Sequence, residues 1–269
     1  MGGALGRLWV EEERACDLLL AVEGAGAGAA RAALEGLLPE VDVVVQPREN
    51  RRRRLLVADM DSTMIEVECI DELADYAGLK AEVAAVTEAA MRGEVDFEAA
   101  LDARLALLAG LDEAMLDRCH AERVRITPGA RALVGTMRGQ GAYCLLVSGG
   151  FSRFADRVAA EIGFDSALSN ELVIREGRLS GEVRKPVVGA EAKCRALIEA
   201  AAERSVPLGQ TLAVGDGAND IPMLEAAGLG IAYRAKPATA AAADARIDHN
   251  DLTALLYAQG YARRDWVED

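Results

Sequence analysis

The stretch LLVADMDSTMIEVE, residues 55–68, is apolar for four residues and then abruptly acidic. Its opening, LLVA, has the composition of a buried strand. Asp59 and Asp61 follow with only Met60 between them. Two carboxylates at the end of a buried strand repel each other and lose hydration, so a compensating charge is needed to keep them there. A helix cap at Asp61 or Ser62 accounts for one polar residue, not for two acids. A twelve-residue calcium loop starting at Asp59 requires glycine at its sixth position and glutamate at its twelfth, where the chain has Met64 and Ile70. The chemical reading is a site where a divalent cation offsets the repulsion. One carboxylate can then act as nucleophile while the other manages a proton.

Two more strand ends carry related features. Residues 145–150, LLVSGG, lead from a strand into a helix through Ser148, Gly149 and Gly150. Glycines allow close backbone approach, and amides at a helix start suit an anionic phosphate. The rival serine-hydrolase elbow, G-x-S-x-G, fails because Leu146 stands at the first glycine. In TLAVGDGANDIPML, residues 211–224, Asp216 follows a strand end and Asp220 lies four residues on. Such an acidic loop is what a metal shared with Asp59 requires, because Mg²⁺ takes a few oxygens plus waters. Lys193, in the helical stretch AEAKCRALI, taken alone reads as a solvated surface lysine. It becomes a candidate phosphate-binding cation only in the company of the other three elements.

Outward from these motifs, residues 127–226 alternate helix and strand with short connections. That pattern implies an α/β fold with a parallel sheet flanked by helices, whose ligands bind beyond the carboxyl ends of the strands. NELVIREGRLSGEVR reads as a hairpin turning at Glu176-Gly177. Between about 70 and 123 the pattern is helical, with stops at Gly78, Gly93 and Gly110 and starts at Asp96 and Asp112, giving four helices and no strand. Residues 16–46 read as strand, helix, strand, a small βαβ unit. The four arginines at 51–54 that follow read as a solvated linker rather than a nucleic-acid patch. The run GAGAGA at 24–29 fits a loose dinucleotide fingerprint, but the next strand does not end in an acid, so it reads as a loop. The expected division is 1–54 for the amino-terminal unit and linker, 55–70 with 124–269 for the α/β core, and 71–123 for the helical insert.

Composition sets outer limits. The 269 residues carry a formal net charge of −14, which disfavours nucleic acid and anionic membranes as partners. No stretch approaches the roughly 20 apolar residues of a membrane span. The first residues place acids before a short apolar run, the wrong order for a secretory leader, and Gly6 stands where myristoylation wants Ser or Thr. Cys16, Cys69, Cys119, Cys144 and Cys194 form no CxxC pair and read as reduced thiols. The expected location is cytoplasmic.

With DMDST, SGG, Lys193 and GDGAND in that order, the chain resembles the haloacid-dehalogenase superfamily of phosphotransferases. Within it, DMDSTMIEVECIDELA, AMRGEVDFEAALDAR and GDGANDIPML are most similar to the phosphoserine phosphatases, over roughly residues 55–257. The resemblance implies a Rossmann-like core and makes the helical insert a four-helix cap over the site. It implies Mg²⁺-dependent hydrolysis of O-phosphoserine, the last step of serine biosynthesis. Asp59 would be the nucleophile that becomes an aspartyl-phosphate, and Asp61 would pass the proton. Ser148, the Gly149 amide and Lys193 would hold the phosphoryl oxygens. Mg²⁺ would be held by the Asp59 carboxylate, the Asp61 main-chain carbonyl and Asp216, with Asn219 and Asp220 ordering the surroundings. Glu68 and Arg104 would recognise the ammonium and carboxylate of the substrate. Transfer to an acceptor alcohol such as homoserine shares the nucleophile and stays open, as does a homodimer. Two features depart from the family pattern: Met60 replaces the usual aromatic, and the amino-terminal unit is short.

Overall fold

The computed structural model describes residues 4–20, 26–91 and 95–267. The chain opens with β1 (Ala4–Glu11) and β2 (Ala15–Leu20), an antiparallel hairpin, and then α1 (Gly26–Leu34). The core begins at β3 (Leu55–Ala58). Four helices follow: α2 (Cys69–Tyr76), α3 (Lys80–Met91), α4 (Phe97–Leu107) and α5 (Ala114–Arg123). Next come α6 (Ala130–Gly139), β4 (Tyr143–Phe151), α7 (Ser152–Ile162) and β5 (Ser166–Asn170). The hairpin of β6 (Leu172–Arg175) and β7 (Arg178–Val183) precedes α8 (Ala190–Glu203), β8 (Thr211–Gly215) and α9 (Ile221–Ala226). The remaining elements are β9 (Gly230–Tyr233), α10 (Pro237–Ala242), β10 (Ala245–Ile247) and α11 (Ala254–Ala258). Among the described residues no helix is long and apolar enough to cross a membrane.

The parallel sheet runs β10-β9-β8-β3-β4-β5. All four residues of β3 are fully buried, and they alternate between two cores. Leu56 and Ala58 face one with Leu146, Phe154 and Leu212, while Leu55 and Val57 face the other with Val147, Leu197 and Ala213. Burying each such large aliphatic side chain contributes roughly 1.5–3 kcal/mol. Ala58 pairs with Leu146 on one side and Val214 on the other. Three strand ends therefore lie abreast, at the point where chain order reverses across the sheet.

Local signals placed the four helices well. The Asp96 side chain accepts from Ala99 N at 3.0 Å, capping α4, and Asp112 accepts from Ala114 N at 2.9 Å before α5. Gly78 and Gly110 take the left-handed conformation that stops a helix. The stop expected at Gly93 lies outside the described residues. The β6–β7 hairpin turns at Glu176 and Gly177, both at positive φ. It joins the helical insert, with Gly110 N donating to Leu179 O at 2.8 Å and Glu113 N to Gly177 O at 2.9 Å.

The amino-terminal region corrects the expected βαβ reading. Its described residues start as a hairpin plus helix, and residues 41–47 belong to no strand. Side chains rather than a ladder tie that segment to the core. Asp42 accepts from the amides of Asp248, His249 and Asn250 at 2.9, 3.2 and 3.0 Å, and Gln46 donates to Ala258 O at 2.6 Å. The glycine-rich run continues as α1 from Gly26 rather than as a loop; its first two residues lie outside the described set. Of the arginines at 51–54, expected as a solvated linker, Arg52 and Arg54 are exposed, but Arg51 is half-buried and Arg53 is buried. Arg51 pairs with Asp17 through Nη2 at 3.0 Å, Arg52 stacks 4.4 Å from the Tyr261 ring, and Arg53 is 5% exposed and donates to Gln46 Oε1 at 2.8 Å. Asp17 of β2 and carbonyls of the core thus tie down part of the basic run.

Candidate active site at the sheet edge

Asp59 extends β3 by one residue, its amide donating to Val214 O at 2.9 Å. Beyond it the chain turns sharply: Asp61 is extended and Ser62 is left-handed at φ 55°. A non-glycine residue pays on the order of 1 kcal/mol for that conformation, a strain found at functional sites. The turn is closed by Ile65 N to Met60 O at 3.0 Å. Ser62 Oγ donates to Glu68 Oε1 at 2.5 Å, and Cys69 N donates to Asp61 Oδ1 at 2.9 Å. The acidic motif thus folds back so that the start of α2 orients both Asp61 and Glu68.

Lys193 is fully buried, unlike the solvated lysine its helix alone predicts. Its ammonium donates to Asp59 Oδ1 at 2.6 Å and Asp220 Oδ1 at 2.7 Å. The other Asp220 oxygen accepts from Asp216 N at 3.1 Å and Gly217 N at 3.0 Å. A Cβ on Gly215 would lie 2.4 Å from Asp220 Cγ, so only glycine lets this loop close. Ser148 Oγ accepts from Gly150 N at 2.8 Å and lies 3.4 Å from Asp61 Oδ2. A Cβ on Gly149 would meet Phe97 Cζ at 3.4 Å and Asn219 Nδ2 at 3.9 Å, so the first residue of α4 and Asn219 both border this loop.

The electrostatics follow from burial. Burial, then the charge of Asp220, holds the Asp59 carboxyl well above its ordinary range against the pull of Lys193. Asp61 is pushed up to about 7 by burial and then by Glu68. Asp216 is pushed up to about 7 by burial and then by Asp220. Burial would lower the Lys193 ammonium, but Asp220 and Asp59 outweigh it and hold it above its usual value. Burial lowers the Arg104 guanidinium, opposed by Asp71 and Glu68, so Glu68 and Arg104 share one electrostatic neighbourhood.

One ammonium does not balance these acids. Asp59, Asp216 and Asp220 each offer an oxygen within 4.8 Å of the others. A compact all-oxygen set with surplus negative charge fits a hard divalent cation. Asp220 already spends both oxygens on Lys193 and two amides, so Asp59 and Asp216 are the carboxylates left to hold one.

Sequence reasoning missed Thr63, Phe97 and Asn170. Thr63 is buried and donates to Asp216 Oδ1 at 3.4 Å; it stood unassigned inside DMDST. Phe97 carried only the signal of a residue after a helix cap. Asn170 ends a strand too polar to be read as one.

Residues 56–225 match the haloacid dehalogenase-like hydrolase family. A phosphoserine phosphatase of Streptomyces coelicolor is 47% identical over 226 residues, 84% of this chain and 55% of that protein. The chain thus spans about half the length of the curated relatives it first matches. A probable phosphoserine phosphatase of Vibrio cholerae, solved unliganded, superposes with a TM-score of 0.74 at 36% identity, covering 92% of this chain and 76% of that one. A phospho-aspartyl intermediate analogue of phosphoserine phosphatase superposes with a TM-score of 0.71 at 36% identity, covering 76% of this chain and 98% of that one. The matched span contains every residue gathered at the sheet edge, and the chain belongs to the haloacid dehalogenase-like hydrolases.

Proposed function

We propose that this chain is a Mg²⁺-dependent phosphatase that hydrolyses O-phosphoserine through an aspartyl-phosphate on Asp59. The observation that carries the proposal is the meeting of Asp59, Asp61, Ser148 and Lys193 at one buried sheet edge, bordered by Phe97 of the helical insert. Lys193 occupies Asp59 Oδ1 and leaves Oδ2 to attack phosphorus. As that P–O bond forms, the bond to the serine oxygen breaks, and Asp61 donates its proton to the departing alkoxide. Water then attacks the aspartyl-phosphate, Asp61 takes the water proton, and phosphate leaves with Asp59 restored. An Asp61 carboxyl near 7 suits a group that gives and then receives a proton at neutral pH.

Ser148 Oγ, the Gly149 amide and the remaining Lys193 N–H would hold the phosphoryl oxygens, work that is mostly positioning and charge stabilisation. Asp59, Asp216 and the Asp61 main-chain carbonyl would hold Mg²⁺, and Asn219 and Asp220 would order that shell. The bound ion supplies charge neutralisation on the transferring phosphoryl group. Glu68 and Arg104 are the groups offered to the substrate's ammonium and carboxylate. Residues 71–123 act as the cap, excluding bulk water when it closes. The phospho-aspartyl analogue of the relative supports Asp59 as the phosphorylated residue. Buried thiols at Cys69, Cys119 and Cys144 fit a cytoplasmic enzyme.

The test is phosphate release from a panel of phosphomonoesters with Mg²⁺ and after chelation, with and without homoserine. Mg²⁺-dependent release that favours O-phosphoserine over sugar phosphates is expected. Chelator-insensitive release, a preference for sugar phosphates, or phosphohomoserine as the main product would overturn the assignment.

A further inference from the structure

β4 and β5 leave register where the phosphate loop begins. Val147 pairs with Leu168 and Phe151 with Asn170, so four steps along β4 oppose two along β5. Ser148, Gly149 and Gly150 are thereby bulged out of the ladder, and a bulge leaves backbone groups to find other partners. Asn170 provides one. Its side-chain amide donates through Nδ2 to Gly149 O at 2.8 Å. Its Oδ1 accepts from Val188 N at 2.8 Å, just ahead of the helix that carries Lys193. Asn170 is 2% exposed, and both ends of its amide are held.

Gly149 O belongs to the same peptide unit as Gly150 N, which donates to Ser148 Oγ at 2.8 Å. One plane therefore carries the Asn170 bond at its oxygen and the Ser148 bond at its nitrogen. Glycine on both sides leaves no Cβ to oppose rotation of that plane. A Cβ at Gly150 is excluded in any case, since it would lie 2.7 Å from Asp61 Oδ2. The loop cannot use side-chain bulk to fix its own orientation, and the restraint has to come from outside it.

We infer that Asn170 is a positioning residue that locks the Gly149–Gly150 peptide and thereby aims the Ser148 hydroxyl at the phosphoryl group and Asp61. It acts through Ser148 and does not itself touch substrate. The inference rests on the phosphoserine phosphatase reading given above and extends it to a residue beyond the four motifs.

The experiment compares the full chain with Asn170→Ala, Asn170→Asp, Ser148→Ala and the double variant Ser148→Ala/Asn170→Ala, using O-phosphoserine and Mg²⁺. An inactive parent chain refutes the functional reading itself and is told apart from every outcome below. With an active parent, Asn170→Ala is expected to lower kcat/KM about tenfold to a hundredfold, as the loss of a buried hydrogen bond felt in the transition state does. Asn170→Asp keeps the shape and the acceptor for Val188 N, but once its carboxyl ionises it has no donor for Gly149 O; burial raises the pH at which that happens, so it is assayed from pH 6 to pH 9. Its activity relative to the parent is expected to fall as the carboxyl ionises, by the top of that range as far as in Asn170→Ala. In the Ser148→Ala background the Asn170 change is expected to cost less than about threefold, because contacting residues are not additive. Where turnover of Ser148→Ala is too low to measure, calorimetric binding of inorganic phosphate is read by the same criterion. Parent-like activity of Asn170→Asp across the whole pH range, or equal cost of Asn170→Ala with and without Ser148, overturns the inference.

Discussion

Lys193→Met is the sharpest probe of the charge arrangement. Lys193 and Asp220 are 0% exposed and Asp59 is 5% exposed, and the ammonium sits 2.6 and 2.7 Å from the two carboxylates. Methionine keeps most of the stem volume and removes the three donors. Breaking one partner of a buried pair costs about 3–5 kcal/mol. Each kcal/mol moves the thermal midpoint of a chain this size by about 2–4 °C, so a fall of roughly 6–20 °C is expected near neutral pH. The pH signature is more diagnostic. Without the ammonium, the pull that lowers the Asp59 carboxyl is lost, so in the folded state Asp59 keeps its proton to higher pH than in the parent. A carboxyl whose folded pKa lies above its unfolded value of about 3.9 binds more protons folded than unfolded between those two values. Its folded form therefore loses stability as pH rises through that window, by about 1.4 kcal/mol per pH unit for one proton. The penalty vanishes below about pH 4, where both states are protonated. Urea unfolding of parent and variant in chelator, from roughly pH 5 to pH 8, measures it. Chelation matters because a divalent cation would stand in for the ammonium. A pH-independent deficit under about 1 kcal/mol would refute the reasoning, since it would mean the three groups do not share a buried field.

Glu68→Gln tests the proton-transfer assignment. Asp61 stands at about 7 through burial and the Glu68 charge, and its donor form is lost as pH rises through that value. Removing the Glu68 charge is expected to shift the descending limb of the kcat/KM profile to lower pH; an unmoved limb argues against Asp61 as donor. Gly150→Ala places a Cβ 2.7 Å from Asp61 Oδ2 and 3.0 Å from Ser148 Oγ. Displacing either group is expected to lower turnover about a hundredfold, read by phosphate release, and near-normal turnover would mean the loop is looser than its contacts imply.

The sequence by itself determined the α/β class, the order of the motifs and most of the insert. Those signals are local: LLVA is a short apolar run bounded by turn signals, the Asp96 and Asp112 oxygens lie within three residues of the amides they accept from, and Glu176-Gly177 turns a hairpin on its own. Elements whose identity depends on distant partners were not legible. β5 has little apolar periodicity because it is an edge strand with alternately exposed residues. Residues 41–47 have a strand's composition, yet Asp42 and Gln46 spend their hydrogen bonds on residues some 200 positions away. Arg51, Arg52 and Arg53 became staples only because Asp17, Tyr261 and Gly209 converge on them. Tertiary structure likewise decided what kind of residue Lys193 is, because its burial and its two carboxylates come from other strands' ends. It alone revealed Asn170, whose role exists only where a bulge in one strand leaves a carbonyl for a neighbouring strand's side chain to hold.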